Sequence, residues 1–315
     1  MLDGRHVKIT TLAGGVGAAR FLEGLVQVVP QEDITVISNT GDDEDFFGLR
    51  VSPDIDIVIY TLAGAINAET GWGLSGETFR ALEALGRFGY ETWFGLGDGD
   101  LATHVHRTNM LRDGATLSEA TRSIAEAFGL RLTLLPVSDD RIRTMVETAS
   151  AETLAFQEYF VKRRTEDEVR AVRFAGIDDA RPAPGVLEAI AGADVIAIAP
   201  SNPIVSIGPL LAVRGVRDAL RETRAKVVGV SPIIGGKTIK GPADRMMASL
   251  GMTPTAAGVA EAYRDFLDVL VIDEEDRELA PAVEAAGVRA VVAQTIMRGA
   301  AEKRGLAETV LAAVR

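Results

Sequence analysis

The chain has no cysteine in its 315 residues. Disulfides, thiolate metal sites and a cysteine nucleophile are therefore excluded. Histidine is scarce as well, at three. A histidine-rich metal centre is not expected, and a metal would have to sit on carboxylates, which selects a hard cation such as magnesium. Positive charge is in deficit: 33 Lys and Arg stand against 45 Asp and Glu, a formal net charge of -12. Nucleic-acid binders show a basic footprint, so DNA and RNA are not expected partners. No run of about 18 uncharged apolar residues is present to cross a membrane. The opening MLDGRHVKITTLAGG lacks the apolar region of a signal peptide. The expectation is a cytoplasmic protein with no membrane partner. What remains is an ordinary globular composition, 47% apolar and 25% charged.

Short apolar runs recur, each ending in a polar or glycine-rich loop. Residues 7–12 run into AGGVG, 34–37 into SNTGDDED, 195–199 into PSNP, 227–230 into SPIIGGKTIKGPAD and 269–272 into DEEDRE. Helical patterns separate many of them: Phe21, Leu22, Leu25 and Val28 share a face, as do Leu210, Leu211 and Val213. Alternating strand and helix signals mean βαβ units, an α/β fold with a mostly parallel sheet flanked by helices. Residues 1–315 read as one domain, with a smaller, partly extended insert at about 137–178, where RIRTMVETA and VRAVRFAG alternate and turn glycines are few. Ligands in open α/β sheets gather beyond the carboxyl ends of the strands. All five loops are accordingly expected to line one crevice.

Gly14, Gly15 and Gly17 follow the first apolar run and precede a helical pattern. Backbone N–H groups without a neighbouring Cβ can approach phosphate oxygens there, and the helix N-terminus adds positive charge. The spacing alone also admits a tight turn with no ligand. It does not fit a dinucleotide fingerprint: Arg20 stands where the third glycine belongs, and the second strand ends in SNTGDD rather than in one ribose-binding acid. GGKT at 235–238 is not a P-loop, because Ser231 occupies the required first glycine. Lys237 is either a phosphate contact or a solvated loop lysine.

Asp42, Asp43, Glu44, Asp45, Asp54 and Asp56 crowd into fifteen residues. Glu44 and Asp45 read as solvated. Asp42 stands at a strand's carboxyl end. Ser52-Pro53-Asp54 reads as a helix start, with Ser52 as N-cap and Pro53 at the first helical position; the run that follows also alternates well enough for a strand. Two carboxylates converging beside phosphates suit magnesium, while compensation of a helix dipole is the alternative for Asp54. In GLGDGDLATHVHRTNMLRDGATL, a helix opening after Asp100 presents Asp98, Asp100 and Thr103 near its start. His104 and His106 do not share a helical face and read as hydrogen-bonded surface histidines. Ser201, Asn202 and Ser206 can hold a base or a phosphate, or can form ordinary turns and caps. Lys162, Arg163 and Arg164 face either an anionic ligand or water.

The ordered blocks LAGGVGAARFLEGL, NTGDD, GLRVSPDIDIVIYTLAG, GWGLSGETF, GLGDGDLATHVHRTNMLRDGATL, FQEYFVKRR, APSNPIVSIGPLLAVRGVRDAL and VSPIIGGKTIKGPADRMM resemble the 2-phospho-L-lactate transferase family of deazaflavin coenzyme F-420 biosynthesis, over nearly the whole chain. The resemblance implies a Rossmann-like core and a magnesium-dependent phosphotransferase. Its expected reaction moves a 2-phospholactyl or phosphoenolpyruvyl group from a guanosine diphosphate adduct to the ribityl hydroxyl of 7,8-didemethyl-8-hydroxy-5-deazariboflavin and releases GMP. It implies donor phosphates at Gly14, Gly15, Val16 and Gly17. The metal is placed at Asp42 or Asp43 together with Asp54 or Asp56, and Asp54 or Asp56 is the group that accepts the hydroxyl proton. Deazaflavin contacts fall around Asp98 and Thr103; Gly99 stands where relatives often carry an arginine. A homodimer is expected, as for most such enzymes.

Two alternatives remain open at this level. A nucleotide-sugar-binding regulatory protein of the gluconeogenesis-factor type shares the glycine loop, the acidic loop and an SNP element, but should lack the GLGDGDLATHVHR and EYFVKRR blocks. An NAD-dependent oxidoreductase is opposed by the missing third glycine.

Overall fold

The computed structural model describes residues 7–314. Ile9–Ala13 (β1) is buried at every position, as a strand covered on both faces must be. The chain turns at Gly14 into helix α1 (Gly15–Leu25) and returns to β2 (Ile34–Ser38). A short hairpin, β3 (Glu44–Phe46) and β4 (Leu49–Val51), leads into helix α2 (Pro53–Leu62). The strand alternative for this run is therefore not the one taken. Pro53 does open the helix, but the Ser52 hydroxyl does not cap it and donates instead to Asp43 at 2.7 Å. Helices α3 (Arg80–Arg87), α4 (Asp98–Arg112) and α5 (Leu117–Ala127) precede β5 (Thr133–Pro136). Helix α4 starts at Asp98, not after Asp100, because the Glu77 carboxylate reaches the N–H groups of Gly99 and Asp100 at 2.8 and 2.7 Å and caps the earlier turn.

Within residues 137–178 lie β6 (Arg143–Thr148), β7 (Thr153–Ala155) and β8 (Val169–Ala175), an antiparallel sheet in the order β7-β6-β8. Then come β9 (Val195–Ile198), β10 (Lys226–Val230), the small hairpin β11 (Ile233–Ile234) and β12 (Lys237–Thr238), β13 (Val269–Asp273) and β14 (Arg289–Ala293). The main sheet runs β14-β13-β10-β9-β1-β2-β5, and every neighbouring pair is parallel. Alternation in β1 sends Ile9 and Ala13 to one core and Leu12 to the other, so the sheet is sandwiched between two apolar layers. The fold is α/β and Rossmann-like, as expected from the alternating pattern.

The chain leaves β1 toward β2 and β5 on one side, then comes back to β9 and builds outward on the other. The order therefore reverses between β1 and β9, and a crevice must open where their loops diverge. Gly17 holds those loops together: a Cβ there would be driven into the carbonyl oxygen of Pro200. This third glycine of the turn serves loop-to-loop packing.

Candidate active site at the switch point

A cavity of about 650 Å³ occupies that crevice. Four of the five predicted loops reach it: Gly14 to Gly17, Asp42, Pro200 to Asn202, and the segment from Ser231 to Ala243. The fifth, DEEDRE, does not. Its acids are spent on holding other loops: Asp273 accepts from the N–H and hydroxyl of Thr295 at 2.9 and 2.7 Å, and Asp276 accepts from the Gly235 N–H at 3.1 Å. The residues after β14, Thr295 to Arg298, line the cavity in its place.

Asp54 joins the glycine turn to the acidic loop. Its Oδ1 accepts from the Gly15 N–H at 2.9 Å and its Oδ2 from Asn39 Nδ2 at 2.9 Å. Asn39 in turn accepts from the Gly41 N–H at 2.8 Å. Gly15 stands at φ 74, a left-handed value that a side chain disfavours, and an added Cβ would meet nothing within 4 Å. Of the first-turn N–H groups of α1, the Gly15 one is thus committed to Asp54. Those of Val16 and Gly17 have no partner within the helix. The two glycines predict different costs. Gly15→Ala should lose about 1 kcal/mol from backbone strain. Gly17→Ala should lose about 1–3 kcal/mol from overpacking against Pro200. Urea unfolding of the two variants measures the order, and a costlier Gly15→Ala would contradict it.

Asp42 is buried, lines the cavity, and its Oδ1 has no hydrogen-bond partner among the described residues. Burial holds its carboxyl well above the usual range, and the Asp54 charge adds to this; Thr144 and Asn39 beside it offset only part. Burial likewise raises Asp54 to about 6, against the opposing hydrogen bonds of Asn39 and Gly15. Among the described residues no group of three or more His, Cys, Asp or Glu is arranged to hold a metal. The Asp42–Asp54 pair nonetheless fits a magnesium ion that takes one or two carboxylates and completes its shell with water and substrate phosphate. The free Asp42 oxygen is the observation in favour. Asp43, the other proposed metal position, is turned away from the cavity to accept from Ser52, and burial brings it to about 7.

Asp56 lines the cavity but is not free. The fully buried Arg107 donates to both of its oxygens. Both Asp56 oxygens are thus occupied by a buried guanidinium, which gives Asp56 a positioning place in the fold and leaves Asp54 as the candidate with no cationic partner. His104, expected at the surface, is buried instead: its Nε2 lies 3.2 Å from Asp100 and its Nδ1 3.8 Å from Asp56. Tyr60 donates to Asp100 at 2.6 Å. His106, one turn face away, is exposed against Ser123 at 2.9 Å. Asp56, His104, Asp100 and Tyr60, drawn from α2 and α4, therefore form one wall of the cavity, with Arg107 buried behind it.

The remaining sequence candidates divide. Ser201, Asn202 and Ser206 line the cavity. Ser201 donates to the Gly14 carbonyl at 2.8 Å, and Asn202 Oδ1 accepts from the Ile204 N–H at 2.9 Å, so both also shape their turns. Lys237, Asp98 and Thr103 do not line it. Lys237 is exposed on the small hairpin. Asp98 accepts from the Ala81 N–H at 3.0 Å and from the Thr78 hydroxyl, and these bonds hold its carboxyl below the usual range. It caps α3 instead of facing the cavity. Thr103 is buried in the helix that carries the network. Lys162 and Arg163 pair with Glu91 and Glu152 at 2.9 and 2.6 Å, outside the cavity.

Residue-level reading missed the aromatic wall. Trp72, Phe94, Phe156 and Phe160 line the cavity, with Phe46 stacked on Phe94 at 4.1 Å and Phe156 on Phe160 at 5.5 Å. The four-residue spacing of Phe156 and Phe160 was the available signal. Arg20, Lys240 and Arg298, the cations on the cavity lining, were missed as well.

The comparisons with known proteins agree with this architecture. Residues 9–306 match the family model described as 2-phospho-L-lactate transferase CofD. The chain is 50% identical over 288 residues to the phosphoenolpyruvate transferase of Streptomyces griseus, covering 90% of this chain and 91% of that one. It is 41% identical over 301 residues to the 2-phospho-L-lactate transferase of Methanosarcina mazei, covering 96% and 98%. Among solved structures it is similar to protein BH3568 of Bacillus halodurans, with a TM-score of 0.65 at 19% identity, over 98% of this chain and 100% of that one; this likeness concerns the fold alone. No helix among the described residues is long and apolar enough to cross a membrane. The chain belongs to the 2-phospho-L-lactate transferase family and is a transferase of deazaflavin coenzyme F-420 biosynthesis.

Proposed function

We propose that this cavity transfers a phosphorylated three-carbon acid from a guanosine diphosphate adduct to the terminal ribityl hydroxyl of 7,8-didemethyl-8-hydroxy-5-deazariboflavin, with release of GMP. The observation that carries the reading is the meeting, at one switch point, of a helix N-terminus, two buried carboxylates and an aromatic wall. The first two suit a pyrophosphate and its metal. The third suits a planar ring system.

In this reading the Val16 and Gly17 amides hold donor phosphate oxygens. Trp72, Phe94, Phe156 and Phe160 enclose the deazaflavin rings and exclude water. The acceptor hydroxyl forms the new O–P bond as the bond from phosphorus to the GMP oxygen breaks. The hydroxyl proton passes to Asp54, the remaining candidate acceptor, whose carboxyl burial raises to about 6, near the working range of a general base. Magnesium held through the free Asp42 oxygen would supply positive charge to the pyrophosphate. No covalent enzyme intermediate is required, since positioning and charge neutralisation meet most of the demand of phosphoryl displacement.

Mass spectrometry of the product from deazaflavin and lactyl-, enolpyruvyl- or glyceryl-diphosphoguanosine tests the reading and identifies the acid. A mass gain matching one donor residue, lost in chelator, is expected. No product from any donor, or full turnover in chelator, would contradict the reaction or its metal. Gly15→Ala should also weaken GDP binding, because its methyl group would enter the open space beside the turn; calorimetry showing unchanged affinity would count against the phosphate assignment. The reading includes a homodimer in the cytoplasm, checked by light scattering and fractionation.

A further inference from the structure

Arg20 lies on α1 four residues after Val16, on the same helical face. Lys240 comes from the loop after β12 and reaches over the turn: its Nζ donates to the Thr70 carbonyl at 2.8 Å, and a Cβ at Gly71 would sit 3.3 Å from that Nζ and 3.7 Å from Val16. Both side chains line the cavity. Arg20 makes no hydrogen bond or ion pair with any described residue, and Lys240 none beyond Thr70. Cations elsewhere around the acidic loop pair with carboxylates, as Arg50 and Arg141 do with Asp45 and Arg143 does with Glu44. Loss of hydration, and then the nearby Arg20 charge, hold the Lys240 ammonium below the usual lysine range. Two like charges face one cavity with no counter-ion among the described residues, and an anion bound between them would relieve their repulsion.

We infer that Arg20 and Lys240 form a second anion subsite of the cavity, which binds a phosphoryl oxygen of the nucleotide ligand directly and without a divalent cation. The inference rests on the proposed function for the identity of the ligand. The geometry divides the labour: the Asp42–Asp54 pair needs a cation to attract an anion, whereas Arg20 and Lys240 carry their charge already. The helix N-terminus between them adds partial charge of the same sign. Lys240 also ties the segment around Thr70 to the turn, so an anion there would be covered by that segment.

The test is calorimetric titration of GDP in excess chelator. The wild type is expected to retain measurable, salt-weakened binding. Lys240→Gln and Arg20→Gln should each weaken it about tenfold or more, with Lys240→Arg restoring most of the affinity. Lys240 is exposed, so its variants should keep the fold, and thermal melts verify this. Unchanged metal-free binding in Lys240→Gln and Arg20→Gln would overturn the inference while leaving the transferase reading intact. Absence of GDP binding in the wild type, with and without magnesium, would instead remove the nucleotide reading on which it rests. Inorganic pyrophosphate as a second probe locates the effect. Weaker pyrophosphate binding in the variants assigns it to the phosphates, and weakening confined to GDP would overturn the phosphoryl assignment.

Discussion

Asp42→Asn is expected to lower turnover at least about 100-fold and, at the same time, to raise the melting temperature of the ligand-free protein. The first effect follows from removing the free carboxylate oxygen at the proposed reacting centre, a loss on the scale of an electrostatic contact made in the transition state. The second follows from burial. Asp42 sits beside Asp54 with an unpaired oxygen, and its carboxyl holds its proton well above the usual range. A neutral amide removes the cost of ionising a buried carboxyl beside the Asp54 charge at neutral pH, and the melting temperature should rise by a few degrees. The gain should depend on pH. In the unfolded chain Asp42, Asp43 and Asp54 ionise near 3.8, whereas in the fold Asp54 does so near 6 and Asp43 near 7. Raised values in the fold mean that the folded protein binds more protons between these limits. Its stability must therefore fall as pH rises from about 4 to 7. Melting in chelator at pH 5 and pH 8 should show the wild type less stable at pH 8, with a smaller difference in Asp42→Asn. A wild type that grows more stable over this interval would contradict the assignment, and so would an active Asp42→Asn enzyme.

Arg107→Ala should be the most destabilising single change at the site. The guanidinium is fully buried and donates to both Asp56 oxygens, to the Arg50 carbonyl at 3.4 Å and toward His104 at 3.3 Å. Truncation leaves the Asp56 carboxylate buried without a counter-charge, which costs about 3–5 kcal/mol. The pair itself need not stabilise the fold, because both ions were first taken out of water. Asp56→Leu combined with Arg107→Met should accordingly be less damaging than Arg107→Ala alone. Urea unfolding of Asp56→Leu, Arg107→Met and the double variant measures the coupling. A double variant as unstable as the sum of the singles would mean that no charge-pairing energy is involved.

The two experiments also separate two aspartates that look alike in the sequence. Asp54 and Asp56 are both in the first turn of α2. One faces the glycine turn and Asn39; the other faces Arg107. Position at the helix start pointed to Asp54 and the family resemblance to either of the two, and both line the cavity. Neither could predict that the second is neutralised, because Arg107 is 51 positions away. The same holds for His104: its place on α4 is a matter of local sequence, but its burial depends on α2 packing over it. The aromatic wall was legible only in the four-residue spacing of Phe156 and Phe160, and its assembly was not, for a related reason. Trp72 and Phe94 come from a long connection, Phe156 and Phe160 from the insert, and no local pattern says that these two distant segments face one cavity.

Local chemistry alone was enough to determine the alternating α/β fold, the glycine turn before α1 and the exclusion of cysteine chemistry, and it offered the proline-led helix start at Pro53 as one of two readings. Each of these depends on residues within a turn or two of one another, where backbone geometry and composition set the outcome. The tertiary structure alone decided which carboxylates are free and which are paired. It also decided that DEEDRE braces its neighbours and does not line the cavity, and that Arg20 and Lys240 meet. Those outcomes depend on charges and hydrogen-bond partners brought together across the reversal between β1 and β9, and burial there fixes the strength of each interaction.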